Sequence, residues 1–331
     1  MAQFKTRARA LDLLGRQQIA GIPTAINELI KNAHDAYADK FDIDFLRCNN
    51  LLVLRDDGLG MTKEEFETRW LTLGTESKLA NKKSSLPPID ISKPRRPIMG
   101  EKGIGRLAIA SIGSQVLIIS KAKLRSKEYD IVVAFINWEI FELPGINLED
   151  IVIPVREYSH MPNAVDIDSI KNEVIQSLSK LNEKELIDDK DFEKIKGSIT
   201  SFQVDPCQLS LQLQRGFELT NGYGGTQFFI SPVYDTIVSD IEGDGNSDEA
   251  TKIEKMLMGF HNTMTPDHPT PVVDISFRDY RANDGSFVSI IDKEHFFTTE
   301  EFELAEHYFQ GQFDEFGQFK GLVKIYGEKT Y

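Results

Sequence analysis

The sequence predicts an α+β fold arranged in two domains. The chain has 331 residues, and a typical domain has about 150. Apolar residues recur at three- and four-residue steps from Thr24 to Ala38, which predicts an amphipathic helix. Short apolar runs such as Ile131–Ile136 have the length of buried strands. The proline-rich stretch 266–271 marks the predicted boundary, which gives domains of residues 1–265 and 266–331.

The remaining elements follow from the same periodicities and from glycine and proline positions. Residues 78–97 are rich in Lys, Asn, Ser and Pro and predict a long loop, a type that often forms a functional lid. The other predicted elements, in order, are strand 51–54, helix 63–70, helix 103–113, strand 116–121, a charged helical stretch 166–202 broken at Gly197, strand 227–231, helix 252–261 and strands 272–277, 287–291 and 322–326.

Composition excludes several classes of protein. Apolar residues make up 40 % and charged residues 27 % of the chain, which excludes disorder, collagen and low-complexity sequence as descriptions of the whole. The net charge of −14 argues against a DNA-coating surface but leaves a local nucleic-acid contact open. Two distant cysteines cannot form a disulfide framework or a zinc finger. Without a secretory signal or a membrane-length apolar run, we expect a cytoplasmic protein that does not contact a membrane.

The first motif that carries chemistry lies on the helix 24–38. Glu28, Asn32 and Asp35 are spaced by four and three residues, so they project from one helix face. A carboxylate beside a carboxamide is poor core material, but it can hold a water and a hydrated divalent cation together. Glu28 could polarise that water for attack on phosphorus, and Asn32 could supply a neutral oxygen to Mg²⁺.

The second motif is Asp56-Asp57-Gly58-Leu59-Gly60-Met61 at the end of a strand. Two glycines allow a ligand to approach the backbone closely. One buried aspartate there could accept a hydrogen bond from an exocyclic amine, and Met61 offers a polarisable apolar surface to a flat ring. Asp-Gly turns are common, so this motif has little weight alone.

The third motif is Gly100-Glu101-Lys102-Gly103-Ile104-Gly105-Arg106, followed by a helix. Glycines at the start of a helix expose N–H groups to an anion, and the helix dipole adds to the attraction. The motif lacks the Gly-Lys-Ser/Thr of a P-loop, and it does not directly follow a strand as the dinucleotide fingerprint does.

In this order, the three motifs and Gly225-Thr226 resemble the Bergerat-fold ATPases of the GHKL superfamily. Its members include DNA gyrase B, the large heat-shock chaperone, sensor histidine kinases and mismatch-repair MutL, with MORC proteins as relatives. The resemblance covers residues 10–235 and implies a two-layer α/β sandwich with a mixed, mostly antiparallel sheet and helices on one face. Residues 141–224 then form a large helical insertion. Its charged stretch 166–202 is interpreted as surface decoration, with a partner-binding role as the alternative. Residues 266–331 would begin a β-rich transducer-like domain that the chain does not complete.

The resemblance also implies roles for individual residues. Glu28 looks like the general base, and Asn32 like the ligand of Mg²⁺. Asp56 looks like the carboxylate that recognises adenine, and Thr226 looks like a residue that supports the adenine site. The other residues that would contact ATP are Asp35, Ala36, Gly58, Gly60, Met61, Lys78 at the lid entrance, Gly100, Glu101, Lys102, Gly103, Ile104, Gly105, Arg106 and Leu107.

These residues imply a Mg²⁺-dependent ATPase, with slow turnover, that closes a lid and drives a conformational or dimerisation switch. The helix carrying Asn32 begins too early to leave room for the upstream dimerisation helix of a sensor kinase, and Glu28 with Asp35-Ala36 resembles the hydrolysing branches. Two alternatives stay open, a nucleotide-binding module with little turnover and, ranked last, a kinase-like phosphotransferase. The process driven and any protein partner or C-terminal effector are undetermined; chaperone, DNA-repair clamp and bacterial defence all fit.

Positive charge is concentrated around the predicted lid and the glycine loop. Residues 78–106 contain eight lysines and arginines against two acidic residues, a local net charge of +6 in an acidic chain. Taken individually, each of these lysines and arginines would be interpreted as a solvent-exposed surface residue. Together they predict an electrostatic environment suited to a triphosphate.

Overall fold

The computed structural model describes residues 6–16, 19–72, 93, 95–100, 105–123, 128–213, 219, 223–243, 249–260, 272–290, 304–326 and 328–330. The chain divides into two compact units. The first comprises residues 1–257 and 273–291, and the second comprises residues 258–272 and 292–331.

A mixed sheet forms the centre of the first unit. Among the described residues it has eight strands in the order β5-β4-β3-β6-β2-β1-β7-β8. Neighbours are antiparallel except β1 and β7, which are parallel. This confirms the predicted mixed, mostly antiparallel sheet. The strands are β1 (Lys40–Leu46), β2 (Leu51–Asp56), β3 (Gln115–Lys121), β4 (Ile131–Asn137), β5 (Val155–Tyr158), β6 (Gly225–Ile230), β7 (Asp274–Tyr280) and β8 (Val288–Ser289).

Helices surround this sheet. Helix α2 buries Ile26, Leu29, Ile30 and Ala33, the apolar stripe that predicted it. None of the described helices has the length and apolar character needed to cross a membrane. The α-helices are α1 (Arg9–Arg16), α2 (Gly21–Asp35), α3 (Lys63–Glu65), α4 (Glu139–Glu142), α5 (Ala164–Glu183), α6 (Asp189–Ser201), α7 (Pro206–Leu213), α8 (Thr236–Glu242) and α9 (Lys252–Met258). A π-helical turn, Phe66–Trp70, continues α3, and a 3₁₀ helix spans Gly105–Ser111.

The insertion differs from its prediction in two ways. Its helical stretch does not break at Gly197, which lies inside α6; the break follows Glu183, and Asp188 caps the next helix by accepting the N–H of Asp191. The insertion also contributes to the core, since the Phe202 ring packs edge-on against Phe135 of β4 at 5.0 Å. Surface decoration is therefore the wrong description for this part of the insertion.

Strand β7 lies in the first sheet, although the boundary predicted at 266–271 assigned it to the second domain. It pairs with β1 along its whole length. A buried ion network reinforces the pairing, because Asp44 accepts hydrogen bonds from Arg278 Nε at 2.6 Å and from Arg55 Nη2 of β2 at 2.7 Å. Buried charges need such partners. The first unit therefore resumes after residue 272 and ends beyond β8.

The second unit contains a small antiparallel sheet. Among its described residues the order is β11-β10-β9, with β9 spanning Tyr308–Phe313, β10 Phe319–Ile325 and β11 Glu328–Thr330. Gly317 turns the chain between β9 and β10 with a φ of +77°. The chain therefore forms a β-hairpin through Phe316-Gly317.

Candidate functional site

Helix α2 presents the predicted base, Glu28, to the end of the glycine loop. Glu28 Oε1 accepts a hydrogen bond from Lys31 Nζ at 2.7 Å. A Cβ atom on Gly105 would lie 2.7 Å from Glu28 Oε2, so that oxygen lies against the loop backbone. Asn32 lies one turn along the helix, half-buried, and its carboxamide makes no hydrogen bond to the other described residues. The structure thus brings the predicted base and the last glycine of the loop together.

Asp35 lies at the last turn of α2 and contacts the first residue of the same loop. Its Oδ1 accepts the N–H of Met99 at 2.8 Å, and its Oδ2 accepts the N–H of Gly100 at 3.0 Å. Two bonds from consecutive amides to one carboxylate fix the direction in which the chain enters the loop. Asp35 is therefore positioned as an anchor of the glycine loop.

Some predicted ATP-binding residues belong to the middle of the glycine loop and to the predicted lid. Lys78, Glu101, Lys102, Gly103 and Ile104 lie outside the described residues. Beyond them, Leu107 is only 4 % exposed and packs against Gly15 of α1, where a Cβ would lie 2.9 Å from the Leu107 carbonyl oxygen. Leu107 therefore supports the loop from the core.

Arg106 connects the end of the glycine loop to the start of the lid. Its guanidinium donates to the main-chain carbonyls of Arg69 and Thr72, which end the π-helical turn. Burial lowers the pKa of this guanidinium, and its Nε is buried with no hydrogen-bond partner among the described residues. No carboxylate of the described chain pairs with it. Within the described part of the chain, the site therefore holds a partly desolvated cation that pairs with no carboxylate.

Asp56 ends β2 in a buried position. Its Oδ1 accepts the N–H of Gly58 at 2.9 Å, and the carboxyl also accepts the N–H of Thr226, its register partner on β6. Desolvation raises the pKa of Asp56 to about 7, and the negative charge of Asp57 adds to the rise. These two N–H bonds favour the ionised form but do not offset the burial. The group can thus change protonation state near neutral pH.

The two glycines of the Asp-x-Gly-x-Gly turn are needed for close packing inside the protein. A Cβ on Gly58 would lie 2.9 Å from the carbonyl oxygen of Ala36, which accepts the N–H of Leu59 at 2.8 Å. Gly60 has a φ of +61°, and a Cβ there would lie 1.9 Å from the Lys121 carbonyl oxygen. The turn is therefore held between the end of α2 and the end of β3.

Gly60→Ala should lower the free energy of unfolding by about 3 kcal/mol or more, because strain at positive φ adds to the clash with Lys121. Gly145→Ala is the matched control, since Gly145 also has a positive φ, +83°, but nothing lies within 4 Å of its Cβ position. The control should cost only about 1 kcal/mol. Urea denaturation curves of both variants measure the difference, and equal losses would contradict the steric argument.

Ser120 joins the two sides of this turn and was missed by the sequence analysis. Its Oγ accepts the N–H of Met61 at 2.9 Å and lies 3.0 Å from Thr226 Oγ1 and 3.2 Å from the Gly225 carbonyl oxygen. Ser120 is fully buried at the end of β3. The sequence feature that could have identified Ser120 is a hydroxyl residue directly after the apolar run of a predicted strand. The structure thus places Met61 and Thr226 around one hydroxyl, and Asp56 is the register partner of Thr226 on the other side.

The end of the predicted lid is bound to the C-terminus of α2. Arg96 Nη1 donates to the Ala38 carbonyl oxygen at 2.6 Å, and its guanidinium stacks over the Tyr37 ring at 5.4 Å. Lys93 pairs with Asp39. Cations at a helix C-terminus are stabilised by the helix dipole. Arg96 and Lys93 are therefore bound rather than freely solvated.

Among the described residues, no group of three or more His, Cys, Asp or Glu side chains could hold a metal ion. Mg²⁺ commonly keeps several waters and takes only one or two protein oxygens. The available carboxamide of Asn32 fits such a ligand.

Comparisons with known proteins agree with this arrangement. Residues 21–161 match the family model described as histidine kinase-, DNA gyrase B- and HSP90-like ATPase, a range that runs from α2 past the glycine loop to β5. A 61-residue stretch is 49 % identical to the ATPase morc-1 of Caenorhabditis elegans. That stretch covers 18 % of this chain and 7 % of the relative, so the chain spans a small part of that protein's length.

Proposed function

Because the chain contains an ATPase domain of the GHKL superfamily, we propose that it binds ATP with Mg²⁺ and hydrolyses the bond to the γ-phosphate. The observation that carries this proposal is the position of Glu28, whose Oε2 lies against Gly105 while Asp35 anchors Gly100. Both ends of the glycine loop thus meet the helix that bears the base. Slow turnover is part of the proposal, because the proposal gives the water a single activating group, the Glu28 carboxylate.

The roles of the remaining residues follow from their chemistry. Asn32 would hold Mg²⁺, which when bound neutralises phosphate charge. Asp56 would accept a hydrogen bond from the adenine amine, with Met61 against the ring and Thr226 bonded to the carboxylate. Glu28 would take the proton from the attacking water. The glycine loop beyond Gly100, whose own N–H is donated to Asp35, would direct amides at the phosphates, as in other glycine loops that precede a helix.

Arg106 supports the further proposal that ATP closes the lid. A partly desolvated cation next to the glycine loop, paired with no carboxylate of the described residues, is suited to the γ-phosphate. The same guanidinium contacts the carbonyls of Arg69 and Thr72, where the predicted lid begins. Movement of Arg106 toward the phosphate would therefore alter the lid entrance. Lid closure would then favour dimerisation within a larger assembly.

The domain assignment is proposed in a modified form. The first unit would be the ATPase domain, carrying the insertion 141–224 and including β7 and β8. The second unit would be transducer-like, and its three-stranded antiparallel sheet among the described residues supports this. The cytoplasm is the proposed location.

Steady-state phosphate release tests the proposed function. The chain should release phosphate from ATP in the presence of Mg²⁺, and EDTA should stop the release. ATP binding without release would instead favour a nucleotide-binding module, and transfer of radiolabelled γ-phosphate to a protein would favour a phosphotransferase. Either of these outcomes would contradict the hydrolase proposal.

ATP affinity should fall as the pH drops below neutrality. The pKa of Asp56 is raised to about 7 in the free protein, and adenine binding requires the ionised carboxylate. The ionised fraction falls about tenfold from pH 8 to pH 6, so the apparent Kd should rise about tenfold. Calorimetric titration with ATP measures this, and NMR titration with adenosine, which has no phosphate to titrate, isolates the contribution of Asp56.

Asp57→Asn is the matched variant for this experiment. Asp57 Oδ1 accepts the N–H groups of Asp39 and Lys40, both at 2.8 Å, and an asparagine oxygen can keep these bonds. Removing the charge of Asp57 should lower the pKa of Asp56 and move the pH dependence to lower pH. A flat profile in the wild type, or an unshifted one in the variant, would contradict the assignment.

A further inference from the structure

Lys31 contacts the proposed base but has no role in the function described so far. Its ammonium lies 2.7 Å from Glu28 Oε1, and the two side chains are 29 % and 28 % exposed. Neither residue makes another hydrogen bond or ion pair with its side chain among the described residues. Lys31 is therefore the cation that sets the electrostatic environment of Glu28 in the described part of the protein.

The pairing is asymmetric with respect to the two carboxylate oxygens. Lys31 binds Oε1, whereas Oε2 lies against Gly105, where a Cβ would be only 2.7 Å away. One oxygen is thus bound by a fixed donor, and the other is directed at the end of the glycine loop. An orientation of this kind is what a general base needs, because proton transfer requires one lone pair to face the water.

Charge gives Lys31 a second effect on the same step. ATP would bring several negative charges close to the Glu28 carboxylate, and like charges at short range repel one another. Among the described residues of the elements packed against α2, no other charged side chain pairs with Glu28. Arg106 donates to the carbonyls of Arg69 and Thr72, and Asp240 of α8 pairs with Lys252 at 3.3 Å.

We propose that Lys31 is a positioning residue for hydrolysis, holding Glu28 with Oε2 toward the phosphate loop and offsetting the repulsion between Glu28 and the triphosphate. The inference rests on the proposed function. In the step concerned, water gives a proton to Glu28 as its oxygen bonds to the γ-phosphorus. The bond from phosphorus to the bridging oxygen breaks, ADP leaves with that oxygen, and the proton later passes to solvent.

Lys31→Met and Lys31→Arg test the proposal by steady-state phosphate release. Lys31→Met removes the charge at similar length and should lower kcat about tenfold, while KM changes by less than about threefold, because misorientation acts on the chemical step. Lys31→Arg keeps the charge and should recover most of kcat. Lys196→Met is the matched control, since Lys196 forms an i,i+3 pair with Glu193 at 3.2 Å on α6; its kcat should equal that of the wild type.

A double-mutant cycle separates action through Glu28 from other effects. In the Glu28→Gln background, Lys31→Met should cause no further loss of kcat. Equal losses in both backgrounds, a wild-type kcat for Lys31→Met, or no recovery by Lys31→Arg would each overturn the role of Lys31. A Glu28→Gln variant that hydrolyses ATP at the wild-type rate would instead overturn the proposed role of Glu28 as the general base, and no phosphate release by the wild type would overturn the proposed function itself. Melting temperatures verify folding, and Lys31→Arg keeps the test valid if Lys31→Met unfolds.

Discussion

Glu28→Gln should lower kcat for ATP hydrolysis by about 10²- to 10⁴-fold, the usual contribution of a general base. Glutamine has the shape of glutamate, and its carbonyl oxygen can still accept from Lys31, but it cannot take a proton from water at neutral pH. ATP should still bind, because in the proposed roles Glu28 acts on the water and Asp56 on the adenine. Phosphate release and calorimetry on the same preparation separate the two effects. Glu28→Ala should behave in the same way.

The matched control for this experiment is Glu193→Gln. Glu193 pairs with Lys196 at the same i,i+3 spacing on α6 of the insertion, so its removal reproduces the loss of an ion pair without touching the site. We expect its kcat to be unchanged, since exposed pairs contribute little to stability. Turnover in Glu28→Gln equal to that in Glu193→Gln would assign the water-activating role to another group. Loss of ATP binding in Glu28→Gln would mean that Glu28 contributes to the pocket itself.

The helix and the turn of the site were predictable because their signals are local. The spacing of Glu28, Asn32 and Asp35 places them on one face of any regular helix, whatever packs against it. Asp56 was predictable as the last residue of an apolar run before a glycine turn. The helix-face spacing and the strand-turn pattern depend only on residues close in sequence. The tertiary contacts of Glu28, Asn32, Asp35 and Asp56 depend on residues far away in sequence.

Strand β1 was missed for a physical reason. Its sequence alternates Phe41, Ile43 and Phe45 with Asp42 and Asp44, and aspartates at alternate positions indicate a face in solvent or no strand at all. In the structure both carboxylates are buried, and Arg278 pairs with them from β7. That partner lies more than two hundred residues away in sequence. No local pattern indicates this pairing. The domain boundary predicted at 266–271 precedes β7 because the prediction could not take this long-range contact into account.

Ser120 and Lys31 show the same limit inside the site. A serine at the end of a strand and a lysine within a helix have many uses, and sequence position does not distinguish them. Only the register of β3 against β6 brings Ser120 within 3.0 Å of the Thr226 hydroxyl. Lys31 binds Oε1 of Glu28. Only the tertiary contact of Gly105 with α2 shows that the other oxygen, Oε2, faces the glycine loop. Such residues are identified by the fold that joins the motifs.

Asp56→Asn should weaken ATP binding by roughly 10- to 150-fold, the loss expected for a hydrogen bond to a charged group. The Gly58 N–H, 2.9 Å from Oδ1, requires an acceptor, so the asparagine oxygen should take that position. The asparagine NH₂ would then face the adenine amine, and two donors would meet. Calorimetry with ATP and with ADP should give similar losses, because the change affects adenine and not the phosphates.

The pH dependence of stability distinguishes lost recognition from misfolding. The pKa of Asp56 is raised to about 7 when the protein is folded, against about 3.9 for an unperturbed aspartate. The wild type therefore loses stability as the pH rises from about 4 to about 7, because ionisation favours the unfolded chain over this range. Asparagine does not titrate. The melting temperature of Asp56→Asn should therefore rise relative to that of the wild type as the pH increases across the same range. A variant that shows this gain and still binds ATP as the wild type does would reduce Asp56 to a buried structural group. Other residues would then have to bind the adenine amine, and the hydroxyl pair formed by Thr226 on the adjacent strand β6 and Ser120 on β3 would be the first to test.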